Sequence, residues 1–273
     1  MRQYLIAESG GTKTDLCFVD RCKTKTYFTR KSYHPLHCTA EFLEGEQAFW
    51  KSHEYMLEAE VLFFGSGCYR EQGIKTLNEF LNLIGFRSVK VNSDLYAAGK
   101  ALFAGEPGDV VILGTGSVKF HWNGIDVAEV KGGKGFIDGD EGSGFYFGKL
   151  IYEAFVKGRL SAEQHKVLNS FIEWNDFDQS FSNQSHKQLF SELSHKLKDF
   201  RILFHDFHTE NLKAFCEHCF NGKVDKNLSV IGSYGYYHQD IVKDVFRLYG
   251  VEVSEFLARP IDRLVEQTVL LDD

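Results

Sequence analysis

The feature that most constrains this chain is a strand, a glycine turn and a second strand packed into its first twenty residues. Tyr4-Leu5-Ile6-Ala7 is apolar and leads into Glu8-Ser9-Gly10-Gly11-Thr12-Lys13-Thr14; Leu16-Cys17-Phe18-Val19 follows and stops at Asp20. Two adjacent glycines let backbone N–H groups approach an anion without interference from Cβ atoms. Thr12, Lys13 and Thr14 add hydroxyl and ammonium donors, and Glu8 delivers a carboxylate into the same turn. A phosphate accompanied by a metal ion suits such a turn, and an ordinary β-hairpin is the alternative.

The arrangement recurs about a hundred residues later. Val110-Val111-Ile112-Leu113 enters Gly114-Thr115-Gly116-Ser117, and Val118-Lys119-Phe120-His121-Trp122 leaves it. A repeated hairpin of this kind predicts two similar domains facing one nucleotide. The length of 273 residues accommodates one large domain or two of ordinary size, and 43% hydrophobic residues supply a core. The formal net charge of −7 and the lack of a basic run argue against a nucleic-acid partner. No apolar run reaches membrane-spanning length. Too few apolar residues precede Glu8 for a secretory h-region, and the six cysteines show no disulfide spacing, so a reducing cytoplasm is expected.

Periodicity predicts strands near 3–8, 15–20 and 24–32, a helix from Thr39 to Trp50, and a buried strand at Val61–Phe64. A helix over Glu71–Leu83 follows, then a strand at Val89–Val91 and a helix over Asp94–Ala104. After Pro107-Gly108 the pattern restarts with strands at 109–113, 117–122 and 126–131. Helices dominate from Glu141 to Cys219. A strand at Leu228–Ile231 enters Gly232-Ser233-Tyr234-Gly235, from which one helix runs to Tyr249. A short strand near 251–253 and a terminal helix after Pro260 close the chain. Alternating strands and helices predict an α/β protein with mixed sheets.

Taken in order, five segments resemble the N-acetylglucosamine kinase-like branch of the actin/hexokinase/Hsp70 ATPase superfamily, which also includes the BadF/BcrA-type ATPases. They are Ser9–Thr14, Asn92-Ser93-Asp94-Leu95-Tyr96-Ala97-Ala98-Gly99, Gly114–Ser117, Gly139-Asp140-Glu141-Gly142-Ser143-Gly144, and Ile231–Gly235. The resemblance covers nearly the whole chain. It implies two RNase H-like lobes, 1–106 and 107–255, with a terminal helix (about 256–273) packing back on the first. It also implies a cleft between the lobes holding Mg-ATP and a small-molecule sugar, with a homodimer admitted. Gly10, Gly11, Thr12, Lys13, Gly114, Thr115, Gly116, Ser117, Gly232, Ser233 and Gly235 are implied nucleotide contacts. His34, Gly67, Asp94, Gly133, Asp140 and Glu141 are implied sugar contacts. Glu8 would hold Mg2+ through water. The chain departs from the family pattern in having Glu8 for the usual Asp, His34 before Pro35 for Asn, Val118 for Asn, and Lys134 for an apolar or aromatic residue.

Phosphoryl transfer to a hydroxyl needs aligned phosphates, a metal and a base for the hydroxyl proton. Asp94, just past a buried strand and at the start of a helix, suits the base; Ser93 or Asp94 could equally be a plain N-cap. Asp140 and Glu141 suit paired hydroxyl contacts with a sugar, or helix capping. Gly232–Gly235 suits adenine and ribose lying on backbone, or an ordinary strand-to-helix turn. Cys216-Glu217-His218-Cys219 lacks the second pair a zinc site requires and reads as helical core. His186, His195, His205, His208 and His218 read as surface residues. The expected function is ATP-dependent phosphorylation of an amino sugar, N-acetylglucosamine to its 6-phosphate; the alternatives are a BadF-type activator ATPase and a catalytically weak sugar or nucleotide binder.

Overall fold

The computed structural model describes residues 2–133, 139–171, 186–221 and 227–270. The chain divides into two compact units. The first comprises Met1–Glu106, Gly124–Val127 and Arg259–Asp273, and the second Pro107–Asn123 and Ala128–Ala258. Lys134 lies outside the described residues, as does part of the helix-rich stretch.

The first unit is built on a five-stranded sheet. β1 (Tyr4–Ser9), β2 (Lys13–Val19) and β3 (Lys25–Lys31) form an antiparallel meander, and β4 (Glu60–Gly65) and β5 (Ser88–Ser93) extend it in parallel, giving the order β3-β2-β1-β4-β5. Parallel strands need crossovers, which α1 (Ala40–Lys51) and α2 (Glu71–Ile84) supply. Thr39 accepts the Phe42 N–H and starts α1 where its side chain predicts. Leu77, Phe80, Leu81 and Ile84 recur at helical spacing on α2 and are buried in one core with Leu5, Leu16, Val61, Phe63 and Trp50. α3 (Asp94–Phe103) follows β5 directly. A buried carboxylate, Glu46, is held by Arg30 at 2.6 Å and by the Tyr33 hydroxyl, to which Trp50 also donates.

The second unit repeats the plan. β6 (Gly108–Leu113), β7 (Ser117–Trp122), β8 (Val127–Gly132), β9 (Leu228–Ile231) and β10 (Val253–Leu257) form a sheet of order β10-β9-β6-β7-β8. Read from its β8 edge, this is the same three-strand meander extended by two parallel strands, the RNase H-like arrangement in both units. Between β8 and β9 lie α4 (Gly144–Val156), α5 (Ala162–Asn169), α6 (His186–Lys196) and α7 (His205–Cys219). α8 (Ser233–Tyr237) and α9 (Gln239–Leu248) precede β10. α10 (Ile261–Leu270) belongs to the first unit and packs on β1, β2 and α3.

Three expectations need correction. The short strand expected near 251–253 lies at Val253–Leu257. The single helix from Gly235 to Tyr249 is two, meeting at His238, whose φ of −114° and ψ of 27° interrupt helical geometry. The break carries the His238 ring into the interior, 4.1 Å from the ring of His208. His208 itself is only 1% exposed rather than on the surface. It stands on the inward stripe of α7 with Asn211, Leu212, Phe215, Cys216 and Cys219, a spacing of three and four that runs through the histidine. Cys216 and Cys219 are core residues, as their spacing on α7 predicts. No helix among the described residues is long and apolar enough to cross a membrane.

Candidate functional site

In the first unit, strand register gathers the expected residues at one end of the sheet. Glu8 on β1 lies level with Phe64 on β4 and Asn92 on β5, and the next row is Ser9, Gly65 and Ser93. Asp94 follows at once as the first residue of α3. The N-cap ambiguity resolves in favour of Ser93, whose hydroxyl accepts the Tyr96 N–H at 3.1 Å. Asp94 Oδ1 accepts the adjacent Leu95 N–H at 3.0 Å. Burial, reinforced by the negative charges of Asp94 and then Asp15, raises the Glu8 carboxyl from an ordinary 4.5 to about 7, against the pull of Lys13 and Arg259.

Asp15 stands beside these residues, and motif reading misses it. It faces Glu8 across the hairpin, is 4% exposed, and accepts from Lys13 Nζ at 2.7 Å and Thr29 Oγ1 at 2.8 Å. Arg259 stands 4.0 Å away. Lys13, expected to meet phosphate, is thus ion-paired with Asp15, while Gly11 and Thr12 stand at the turn between β1 and β2. The signal for Asp15 lies in hairpin register: pairing Ser9 with Thr14 places residue 15 opposite residue 8.

His34 and Gly67 are neighbours. His34 caps a short turn at Pro35–His37 through Nδ1, which accepts the Leu36 N–H. Gly67 has φ of +82°, and a Cβ there would stand 2.7 Å from His34 Nε2. A side chain at residue 67 would therefore displace the imidazole. The segment leading to His34 is fastened to the glycine turn by hydroxyls: Ser32 donates to Gly10 O at 2.6 Å, and Ser9 and Thr14 both accept the Tyr33 N–H.

In the second unit, Gly114, Thr115 and Gly116 form the turn between β6 and β7, closed by Gly114 N–H donating to Gly116 O at 2.9 Å. Asp140 is 4% exposed with φ of +67°, and its Oδ1 accepts the Ser117 N–H at 3.3 Å. Ser117 Oγ donates to the Glu141 carbonyl at 2.5 Å, and Gly144 N–H to Gly114 O at 2.8 Å. Asp140 and Glu141 therefore pack on the second turn, as does Gly133, whose N–H donates to Ser117 O at 3.1 Å. Asn211, fully buried and absent from the expected set, accepts the Gly142 N–H and donates to Ser143 O and the Tyr234 hydroxyl.

The segment 232–235 lies against the same turn. Gly232 has φ of +109°, and a Cβ on it would stand 2.7 Å from Leu113 O; one on Gly235 would stand 2.6 Å from Val230 Cγ1. Close packing alone thus explains both glycines. Gly114, Thr115, Ser233 and Tyr234 line one small pocket, to which α6 and the turn after it add His195 and Lys198.

No family model and no curated protein matches the sequence. Solved structures do match. A protein proposed as an N-acetylglucosamine kinase, from Porphyromonas gingivalis, superposes with a TM-score of 0.81 at 22% identity, over 96% of this chain and 97% of its own. The chain has the N-acetylglucosamine kinase-like fold. Another protein proposed for that activity, from Chromobacterium violaceum, gives 0.68 at 17% identity, over 97% and 98% of the two chains. The ethanolamine utilization protein EutJ from Carboxydothermus hydrogenoformans gives 0.51 at 12% identity, over 96% and 87%. A fold of this kind does not by itself assign chemistry, which rests on the site residues.

Those residues fit a metal–phosphate guest. Glu8, Asp15 and Asp94 bring like charges together, and a divalent cation beside Glu8 would offset the burial and the neighbouring negative charge that together raise its carboxyl to about 7. A Cβ on Gly10 would meet only Lys13 O at 4.0 Å, and one on Gly114 nothing within 4 Å. Internal crowding therefore demands neither glycine, and the space beside each turn is open to a ligand.

Proposed function

We propose that the chain is an ATP-dependent sugar kinase that phosphorylates an amino sugar, N-acetylglucosamine at its 6-hydroxyl. The observation that carries this reading is the division of labour at the start of α3. Ser93 caps the helix, so Asp94 is not required for capping, and its carboxylate sits at a helix N-terminus within the field of Glu8. Asp94 takes the proton of the sugar hydroxyl as its oxygen bonds to phosphorus. Glu8 orients Mg2+ through water, and the turn from Gly10 to Lys13 meets phosphate oxygens. Gly114 to Ser117 and Gly232 to Gly235 serve the nucleotide in the second unit, with Lys198 adding positive charge near the turn. His34, beside Gly67, contacts the sugar. When bound, ATP supplies the phosphoryl group and Mg2+ spreads its developing charge.

An activator-type ATPase would need exposed cysteines near the second turn to hold an iron–sulfur cluster. Cys219 lies close to that turn, by Gly132, but both it and Cys216 are buried and their thiols are pushed up by burial, which favours the kinase. The test is a coupled ADP-release assay against a panel of sugars and amino sugars with a no-sugar control. ADP release that requires N-acetylglucosamine supports the reading; equal release without any sugar overturns it.

A further inference from the structure

The hydroxyl of Ser32 is used twice. It is 4% exposed, donates to the Gly10 carbonyl at 2.6 Å and accepts the His34 N–H at 3.2 Å. Gly10 belongs to the first glycine turn, and His34 is the residue against which Gly67 is packed. One side chain thus spans the backbone of two segments with different expected ligands. The intervening residue is fastened independently, because the Tyr33 N–H is shared by Ser9 Oγ at 3.1 Å and Thr14 Oγ1 at 3.0 Å. The turn has its own closure as well, in Gly10 N–H donating to Lys13 O at 3.0 Å.

We propose that Ser32 is a positioning residue that sets the His34 imidazole relative to the first phosphate turn, and that it acts on the sugar through His34. This rests on the sugar-kinase reading above. Losing the hydroxyl removes the link between the His34 N–H and the Gly10 carbonyl, so this tie no longer sets the His34 turn against the glycine turn, while the glycine turn and Tyr33 stay fastened. The effect therefore falls on the sugar side of the reaction and spares the nucleotide side. A residue that served only to hold the hairpin together would affect both alike.

The experiment measures steady-state kinetics with N-acetylglucosamine and ATP for wild type, Ser32→Ala, Ser32→Thr, His34→Ala and the Ser32→Ala/His34→Ala pair, with folding checked by circular dichroism. A misplacement of about 1 Å can cost on the order of 10²-fold. Ser32→Ala should therefore lose up to about that much in kcat/KM for the sugar, with the KM for ATP unchanged. Ser32→Thr, which keeps the hydroxyl, should restore activity. In the His34→Ala background Ser32→Ala should cost almost nothing, because neighbours acting through one contact are non-additive. Additive losses in the pair, or a Ser32→Ala chain with wild-type sugar kinetics, overturn the proposal and leave the kinase standing. An unfolded Ser32→Ala chain assigns the residue to stability and overturns it too. A wild type that releases no ADP with any sugar overturns both.

Discussion

At the scale of single residues, Asp94 and Glu8 carry the sharpest expectations. Asp94→Asn keeps the size of the side chain and, with Ser93 still capping α3, should leave the fold intact. It cannot take a proton, and loss of a general base costs roughly 10²–10⁴-fold. Turnover with the sugar that gives the highest rate should fall by that factor, and near-wild-type kcat would demote Asp94 to a structural role. Glu8 has a consequence for stability. Its carboxyl is raised from 4.5 to about 7 in the folded chain, so between those values the folded state binds more protons than the unfolded one. The resulting stabilisation is full below about 4.5 and is lost as pH rises through about 7. Without metal, Glu8→Gln should therefore be more stable than wild type at pH 8, the difference shrinking on acidification in denaturant titrations. Added Mg2+ should narrow the gap at pH 8 by stabilising wild type selectively. The strand-end and turn positions of Glu8, Asp94 and the glycines of both turns were legible because each is a short local pattern. Asp15, Ser32 and Asn211 were not, because their roles arise from pairing between segments: register sets Asp15 against Glu8, and Ser32 and Asn211 act through backbone atoms of residues that are distant in sequence.

At the scale of elements, the strands and helices of the first unit follow the apolar periodicity closely, and what escaped is the joint between α8 and α9. Glycine and proline are the usual marks of a helix break, and His238 is neither. It interrupts the helix because its ring is taken into the core beside His208 and Tyr234. Burial lowers His238 from 6.5 to about 4, with Asp240 opposing and Arg201 assisting, and burial lowers His208 as well, helped by His238 and His205. Both imidazoles are neutral in the folded chain at pH values where the unfolded chain has begun to protonate them. The stability they permit is present above about 6.5 and is lost as pH falls toward about 4. His238→Phe should flatten this acid limb, so plots of unfolding free energy against pH for the two proteins should converge toward low pH. Parallel curves would show that His238 does not titrate in this window. A second effect should appear in nucleotide binding, since His238 lines the pocket with Gly114 and Ser233.

At the scale of the whole molecule, two sheets of the same order arise from two stretches of sequence that share little beyond the pattern of apolar strand and glycine turn. That pattern suffices for the duplication to be read before any coordinates. The membership of α10 is a different matter: its amphipathic spacing predicts a helix, but which sheet it covers depends on packing. Ile261, Leu264 and Val265 are each at most 1% exposed, in the first unit. Burying such a side chain contributes about 1.5–3 kcal/mol. The three together are comparable with the whole stability of a domain, about 5–15 kcal/mol. A chain ending at Ala258 should therefore fail to hold the first unit, and it also loses Arg259 beside Asp15. Exposure of Trp50, fully buried in the first unit, should report the failure as a red-shifted emission and rapid proteolysis within 1–106, while the second unit keeps Trp122 protected. Native-like protection throughout would show that α10 is dispensable.

The same feature has a bearing on synthesis. Apart from the four residues Gly124–Val127, the chain leaves the first unit at Glu106 and returns to it at Arg259, whereas the second unit lies between. A ribosome adding about 5–20 residues per second takes on the order of ten seconds to cover the interval. Throughout that time the apolar surfaces of β1, β2 and α3 that receive α10 have no helix to cover them. The second unit can complete itself first, so the amino-terminal half is the later of the two to mature. A nascent chain stalled at the end of β10 is the species most in need of a chaperone.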